Sequence, residues 1–428
     1  MNTSGSSKAI TSAPVPEEKL RAIVGAANVR AASTAKTFGE MQPRIVVEPG
    51  SEKELASVLR LADEAGLAVI PCGSGTKLSW GNSPTRADLL LSTARLDKII
   101  EHVWADLTAT VEAGCTIQKL QDTLSQHGQR LALDALWPER ATIGGVLSTN
   151  DSGALRLRFG SLRDLVIGMT IALPDGTLAS SGGKVVKNVA GYDLPKLMTG
   201  ALGTLGVVTR AVFRLHPLPK IARTFSVSAG NLEATQQALD VVQNSKLAHT
   251  AMQVRAADDE APETDVLFEG TAAGLAAQET HLKELLELVA VAETPPTVWN
   301  ARQELWLASD SAAIVKFSVL PADIANAVAT VRRVAAHHQI RWKAVVQATG
   351  LGWLRLDGSP ERLHPAMQEL RAELERAGGS LIVLHRPAGI ALLDAWGNAG
   401  DAWPLMRAVK QQFDPNGTLN PGRFVGGI

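Results

Sequence analysis

Along this 428-residue chain the spacing of apolar positions switches repeatedly between helical and extended periods. EKELASVLRLADEAG (52–66) sets Leu55, Val58, Leu59 and Ala62 on one stripe of a helix. Ser51 stands at its N-cap with Glu54 three residues on, and Gly66 ends it. A helix is expected before it, from Glu17 to about Arg30, followed by a short strand over 44–49. Leu67 to Pro71 then reads as a buried strand that delivers a glycine loop, GSGTK (73–77). This strand–helix–strand–loop order brings a phosphate-type loop to the end of a strand, as nucleotide sites often do. Strands at 88–92 and 108–114 and an amphipathic helix from Thr116 to His127 follow. Leu165 to Ser180 reads as a hairpin turning at Asp175-Gly176.

Past HPLP (216–219) the pattern changes, and a domain boundary is placed at Pro217. Strand (221–228), helix (Asn231 to Asn244), two strands (250–255, 266–269) and a long helix (274–291) come next. The order then recurs: strand 312–320, helix 321–338, strands 342–348 and 353–356, helix 359–379, and strand 380–385. In the last helix Ser359 is the N-cap, Pro360 sits in the first turn and a Gly pair ends it. Two such runs predict one antiparallel sheet with helices on a single face, an α+β layer. A helix from about Asp401 to Phe413 and a run of tight turns, DPNGTLNPGRFVGGI, close the chain. That stiff terminal segment is expected to pack against a site. The division is therefore an N-terminal extension (1–16), a unit over 17–217, a second over 218–399 and a returning segment, 400–428.

Composition narrows the chemistry. The net charge of −1 gives no reason to expect a nucleic-acid partner. Two cysteines, Cys72 and Cys115, are too few for an iron–sulfur cluster and form no secreted disulfide framework; each reads as a buried thiol. No window approaches the ~20 apolar residues of a membrane span. The first sixteen residues lack an apolar core and read as a disordered extension, not a signal peptide, so a cytoplasmic location is expected. The glycine loop has neither the dinucleotide GxGxxG spacing nor GxxxxGK[ST], which disfavours nucleoside triphosphate hydrolysis. Thr76 can add a hydroxyl to successive backbone N–H groups in an anion-binding concavity, and Lys77 reads equally as a binding charge or a solvated loop lysine. No metal site is expected: the nine histidines are scattered, and the pair His337-His338 is explained by the carbonyls at a helix end. Candidates for substrate chemistry are Lys184, Lys187, Asn188, Tyr192 and Asp193, the pair His385-Arg386, and Arg423. An Arg fork suits a small carboxylate, and a neighbouring His can act as a base.

The blocks PCGSGTKLSWG, ATIGGVLSTNDSG with RFGSLRDLVIGMTIALPDG, KNVAGYDLPKLMTGALGTLGVVT and FDPNGTLNPGRF occur in order. Together they resemble the FAD-linked oxidases of the vanillyl-alcohol oxidase type, over 44–217 and 413–424. Among these, the FAD-binding subunits of glycolate-oxidising complexes are the most similar, above all in the ending GTLNPGRFVGGI. The resemblance implies an α+β fold: a PCMH-type FAD-binding domain of two α+β subdomains (17–217), and a ferredoxin-like cap with an antiparallel sheet (218–399). It implies that Pro71, Cys72, Gly73, Ser74, Gly75, Thr76, Lys77 and Leu78 wrap the FAD pyrophosphate. Pro138, Thr142, Gly144, Gly145, Ser148, Asn150 and Gly153 would line the flavin and ribityl chain, and Val207 and Val208 the adenine end. Ser74 and Thr76 stand where covalent members carry a His, so the FAD is expected to be non-covalent. Phe159 replaces a common Tyr and removes one hydroxyl contact.

What the resemblance implies for function is oxidation of glycolate, or another small 2-hydroxy acid, with hydride passing from carbon 2 to flavin N5. His385, Arg386, Lys187 and Tyr192 are the candidates for base, anchor and orienting groups. The His-rich GDGN-type motif of related D-lactate dehydrogenases is missing, which implies an accessory subunit. A second FAD-binding subunit and an iron–sulfur subunit would then be partners, with any membrane association peripheral and through them. Two other readings stay open: a stand-alone FAD-dependent D-2-hydroxy-acid dehydrogenase of the D-lactate type, and a non-catalytic scaffold that has lost FAD.

Overall fold

The computed structural model of the chain describes residues 14–32, 41–184, 192–390 and 393–428. The expected N-terminal extension falls almost wholly outside them, as do Lys187 and Asn188.

The first sheet holds β1 (Val29–Ala31), β2 (Ile45–Val47), β3 (Val69–Cys72) and β4 (Leu89–Ser92) in the order β1-β2-β4-β3. The helix expected to reach Arg30 stops early: α1 spans Glu17–Val24, and β1 takes the rest by pairing antiparallel with β2. Val29 is the buried residue of that strand, so edge pairing wins over helix continuation past Gly25. Helix α2 (Glu52–Glu64) is capped by Ser51, whose Oγ accepts from the Glu54 N–H at 3.2 Å, while Glu54 accepts from the Gly50 N–H at 2.7 Å. Its stripe of Leu55, Val58, Leu59 and Ala62 is buried against β2 to β4. Near the C-terminus Leu419 bridges Val69 in parallel, so the tail extends this sheet beside β3.

The second sheet has the order β5-β6-β10-β8-β9, from β5 (Ile99–Val103), β6 (Thr108–Glu112), β8 (Val166–Ala172), β9 (Leu178–Gly182) and β10 (Val207–Arg214). A two-residue pair, β7 (Gln129–Arg130) with β11 (His216–Pro217), stands apart. Strands β8 and β9 form the expected hairpin, with Gly176 at φ +83° in its turn. Around this sheet lie α3 (Ile117–Ser125), α4 (Ile143–Thr149), α5 (Arg156–Phe159), α6 (Leu162–Leu165) and α7 (Leu194–Met198). Helix α4 starts at Thr142, whose hydroxyl accepts from the Gly145 N–H, and stops at Asn150, which turns left-handed at φ 49°.

Beyond residue 220 the chain builds one antiparallel sheet of eight strands, β15-β12-β14-β13-β17-β18-β16-β19. They are β12 (Ile221–Ser228), β13 (His249–Ala257), β14 (Glu263–Gly270), β15 (Ala290–Thr294), β16 (Ala312–Ser318), β17 (Arg341–Gln347), β18 (Leu351–Asp357) and β19 (Ser380–His385). Helices α8 (Leu232–Gln243), α9 (Ala272–Leu285), α11 (Ile324–His338) and α12 (Pro360–Arg376) bury their apolar stripes against one face. The short α10 (Ala301–Glu304) lies near the other face, and α13 (Trp403–Phe413) leads into the tail. The order of strands is symmetric about β13 and β17, so the sequence repeat is a structural one, each unit running β-α-β-β-α-β. The helix expected over 274–291 ends at Leu285; Ala290–Thr294 instead pairs with β12 as an edge strand. The α+β class and the antiparallel sheet expected from the pattern are what the chain forms. Among the described residues no helix is long and apolar enough to cross a membrane.

Candidate functional site

Where β3 ends, the glycine loop turns into a cleft. Among the described residues no protein acceptor takes the backbone N–H of Gly73, Ser74, Gly75, Thr76 or Lys77. Five successive unpaired donors at a cleft mouth form a cradle for an anion. Side chains are kept out of it by geometry. A Cβ on Gly73 would stand 2.1 Å from Thr142 Oγ1, and Gly75 takes φ +87°. Opposite the loop the wall is Thr142, Gly144, Gly145 and Ser148 of α4, and Gly203, Gly206, Val207 and Val208 continue it. The tail completes the rim: Asn420 Nδ2 donates to the Leu202 carbonyl at 2.5 Å. Arg423 Nη2 donates to the carbonyls of Leu78 (2.7 Å) and Trp80 (2.8 Å). Burial pulls the Arg423 guanidinium down to about 10. Its place is that of a strut under the loop, whereas the sequence offered it as a substrate fork.

The structure thus brings Pro71 to Leu78, Thr142, Gly144, Gly145, Ser148, Val207 and Val208 to one cleft. Four residues expected there do not line it. The Pro138 carbonyl accepts from the Gln118 N–H, and Asn150 closes α4. Gly153 gives its N–H to Asp134 Oδ1 at 2.8 Å, and a Cβ on it would meet that carboxylate at 2.2 Å. Phe159 packs edge-on against His216 (4.7 Å between centroids), with the Arg130 guanidinium 5.1 Å above its ring. Arg130 in turn forms a two-pronged ion pair with Glu269 of β14, at 2.8 and 2.6 Å. Phe159 therefore belongs to the seam between the N-terminal sheets and the large sheet.

That seam carries a buried cluster of charge. Lys77 is no solvated loop residue: it is buried, with Nζ 3.3 Å from Asp151 Oδ2. Asp151, wholly buried just past α4, also accepts from Arg302 Nη1 at 2.9 Å and from the Leu136 N–H at 2.9 Å. Arg302, on α10, further donates to the carbonyls of Ser152 (3.0 Å) and Asp134. Burial pushes the Asp151 carboxyl up, but Arg302 and Lys77 outweigh it and hold it below the usual carboxylate range. Burial pulls the Lys77 ammonium down by more than Asp151 raises it. The pair is charged, because Asp151 has two cations and an N–H on its oxygens. Trp80, Trp137, Trp306 and Trp353 surround the triad, with Lys77 5.5 Å from the Trp137 ring and Arg302 4.9 Å from that of Trp353.

Lys316, on the same face of the large sheet, has no hydrogen-bond or ion-pair partner among the described residues; its Nζ lies 5.5 Å from the Trp353 ring. Burial lowers it to about 8, against the attraction of Asp151. Lys77 and Arg302 both pair with Asp151, and Lys316, with no ion-pair partner among the described residues, is the group ready for a small anion.

The catalytic candidates scatter. His385 and Arg386 line an opening beside Leu78 and Ser79, where the His385 ring contacts the Ser309 carbonyl (3.1 Å) and Arg386 donates to the Leu393 carbonyl (2.9 Å). Tyr192 is 92 % exposed and lines no described cavity, and Lys184 pairs with Glu101 outside the cleft. Lys187 lies outside the described residues. Asp151, Arg302 and Lys316 were missed, since nothing in TNDSG or NARQE marks a partner some 150 residues away. His337 and His338, which the sequence set against the carbonyls of their own helix end, instead meet Glu369 of α12.

Residues 43–182 match the FAD binding domain family, and residues 244–424 match the family of FAD linked oxidases, C-terminal domain. With that pair of domains, the chain belongs to the FAD-linked oxidoreductases, and its cofactor is FAD. It is 26 % identical to glycolate oxidase subunit GlcD of Bacillus subtilis over 427 residues, covering 90 % of this chain and 89 % of that one. It is 27 % identical to D-2-hydroxyglutarate dehydrogenase of Xanthomonas citri pv. viticola, covering 89 % of each. With D-lactate dehydrogenase of Archaeoglobus fulgidus it shares 37 % identity over 174 residues, 40 % of this chain and 39 % of that one. The fold superposes on alkyldihydroxyacetonephosphate synthase (TM-score 0.77, 18 % identity, 96 % of this chain and 86 % of that one). On p-cresol methylhydroxylase the TM-score is 0.76, at 17 % identity and 95 % coverage of both. The residues present fit FAD: five unpaired N–H groups suit a pyrophosphate, and walls of glycine and small side chains admit a flat dinucleotide.

Proposed function

We propose that the chain is the FAD-binding subunit of a complex that oxidises a small 2-hydroxy acid, glycolate foremost, to the 2-oxo acid. The observation that carries the reading is the unpartnered Lys316 at the seam, beside an arginine and a lysine that are already paired with Asp151. A cation without an ion-pair partner suits one carboxylate. Bound FAD supplies the hydride acceptor for carbon 2. Pro71 to Leu78 would hold its pyrophosphate, and α4 and the Gly203–Val208 wall its two ends. Lys316 would anchor the substrate carboxylate, and the four tryptophans keep the seam dry, so that the charge acts at low dielectric. His385 is the ionisable base at the opening beside Leu78. Relatives over the full length are a glycolate oxidase subunit and a D-2-hydroxyglutarate dehydrogenase, in line with a 2-hydroxy acid.

Within such a complex the chain is read as the accessory, E-type subunit. Arg302 is engaged through both terminal nitrogens by Asp151 and the carbonyls of Ser152 and Asp134, and so is not free to hold a substrate carboxylate. A second FAD-binding subunit and an iron–sulfur subunit would complete it, since two buried cysteines hold no cluster. We place the cap over 218–399, with 400–428 returning to the FAD-binding domain, and the complex in the cytoplasm. The other reading is a stand-alone D-2-hydroxy-acid dehydrogenase, favoured by Lys316 itself, which needs no partner to bind an anion. Anaerobic addition of glycolate, D-lactate and D-2-hydroxyglutarate to the purified holoprotein, alone and with co-purified partners, tests both. Bleaching of the flavin only with partners supports the accessory reading, bleaching alone the stand-alone one, and none in either overturns the proposal.

A further inference from the structure

His337 and His338 end α11, Gln339 behind them turns left-handed, and both rings meet Glu369 on α12. Glu369, in the middle of α12, meets them with a single oxygen. Its Oε2 is 3.2 Å from His337 Nδ1 and 2.8 Å from His338 Nε2, and the three atoms lie within 4.8 Å of one another. The other oxygen, Oε1, is held by Arg333 Nη1 at 3.2 Å, and Arg333 is itself paired with Glu373. The carboxylate is thus oriented from behind, its charge not consumed at the face it turns to the imidazoles. From these residues we propose a transition-metal site joining α11 to α12, on the helix layer of the large sheet and remote from the cleft.

The geometry needs little adjustment. Ligand atoms about 2.1 Å from a tetrahedral zinc stand about 3.4 Å apart. Both contacts to Glu369, at 3.2 and 2.8 Å, are somewhat shorter than that spacing and would open slightly around the ion, and the third edge closes by rotation of His337, whose side chain is 68 % exposed. Half-buried His338 supplies the fixed ligand. Two imidazoles and one carboxylate select zinc, cobalt, nickel or copper over magnesium or calcium, and three protein ligands leave a position for water. The rival occupant is a proton, which would leave a plain hydrogen-bonded trio of side chains.

The experiment uses the full-length, tag-free, FAD-loaded protein stripped with a chelator and titrated with Zn²⁺ by calorimetry, with the melting temperature followed in parallel. One saturable site and a melting temperature that climbs with free Zn²⁺ are expected. Loss of an outer-shell partner alone weakens metal sites by about 10–100-fold. His337→Gln, at an exposed side chain, should therefore weaken binding by at least about tenfold, and Glu369→Gln should abolish it. His281→Gln, a distant histidine beside a single carboxylate, should leave binding unchanged. No saturable Zn²⁺ uptake by the wild-type protein overturns the proposal, as does uptake that survives both His337→Gln and His338→Gln. Flavin bleaching plays no part in either readout.

Discussion

Asp151→Asn is the sharpest perturbation the structure offers. The carboxylate side chain is 0 % exposed, that of Lys77 4 % and that of Arg302 8 %, so none of the three can recover its charge balance from water. Asparagine keeps the shape and one acceptor. It also turns an NH2 group towards either Lys77 or Arg302 and deprives both buried cations of the carboxylate they pair with. Breaking a buried ion pair from one side costs about 3–5 kcal/mol. Denaturant unfolding of the holoprotein should show that loss. Because Arg302 also ties α10 to the carbonyls of Ser152 and Asp134, proteolysis near residue 300 should accelerate. Adding Lys77→Met removes one of the stranded cations, so the double variant should regain about 0.5–3 kcal/mol relative to additivity. The acid limb provides a separate check. Arg302 and Lys77 hold the folded carboxyl below its unfolded value of about 3.9. Its contribution is therefore complete above that pH and disappears as pH falls through the folded value, a slope that Asp151→Asn should flatten. A variant within about 0.5 kcal/mol of wild type, or strict additivity with Lys77→Met, would refute the triad as described.

Two further predictions concern the cleft and its spare cation. Gly73→Ala puts a methyl group 2.1 Å from Thr142 Oγ1 and should cost about 1–3 kcal/mol of fit; the purified variant should carry markedly less flavin absorbance per chain than wild type. Lys316, at about 8 when folded and near 10.5 when unfolded, makes stability and anion affinity move oppositely. The unfolded chain binds the extra proton between those values, so stability rises with pH there while affinity for the hydroxy acid falls. Comparing wild type with Lys316→Met across pH 7–10 isolates both slopes, and a KM that is flat with pH in wild type removes Lys316 from substrate binding.

The elements that sequence disclosed are those whose information is local. Ser51, Thr116 and Asn231 cap the helices their neighbours predict, accepting from the N–H three residues on. The glycine loop was legible because a run of buried residues points it at one end of a sheet. Strand β15 was not, since Ala290–Thr294 gains its structure from pairing with β12, some seventy residues earlier. The same distance hid the charged seam. Asp151 and Arg302 each look like one more surface charge until the large sheet folds back over α4. His337 and His338 were read against their own helix because Glu369 enters only with α12.

The tail's place beside β3 has a consequence for biosynthesis. The Val69 N–H bonds to the Thr418 carbonyl, Asn420 returns a bond to Val69, and Arg423 reaches Leu78 across 345 residues. A nascent chain emerging from the ribosome therefore makes its dinucleotide cradle early and receives the strut beneath it only after the whole large sheet has been made. Prematurely terminated products lacking residue 423 would emerge colourless, however well their large sheet had formed.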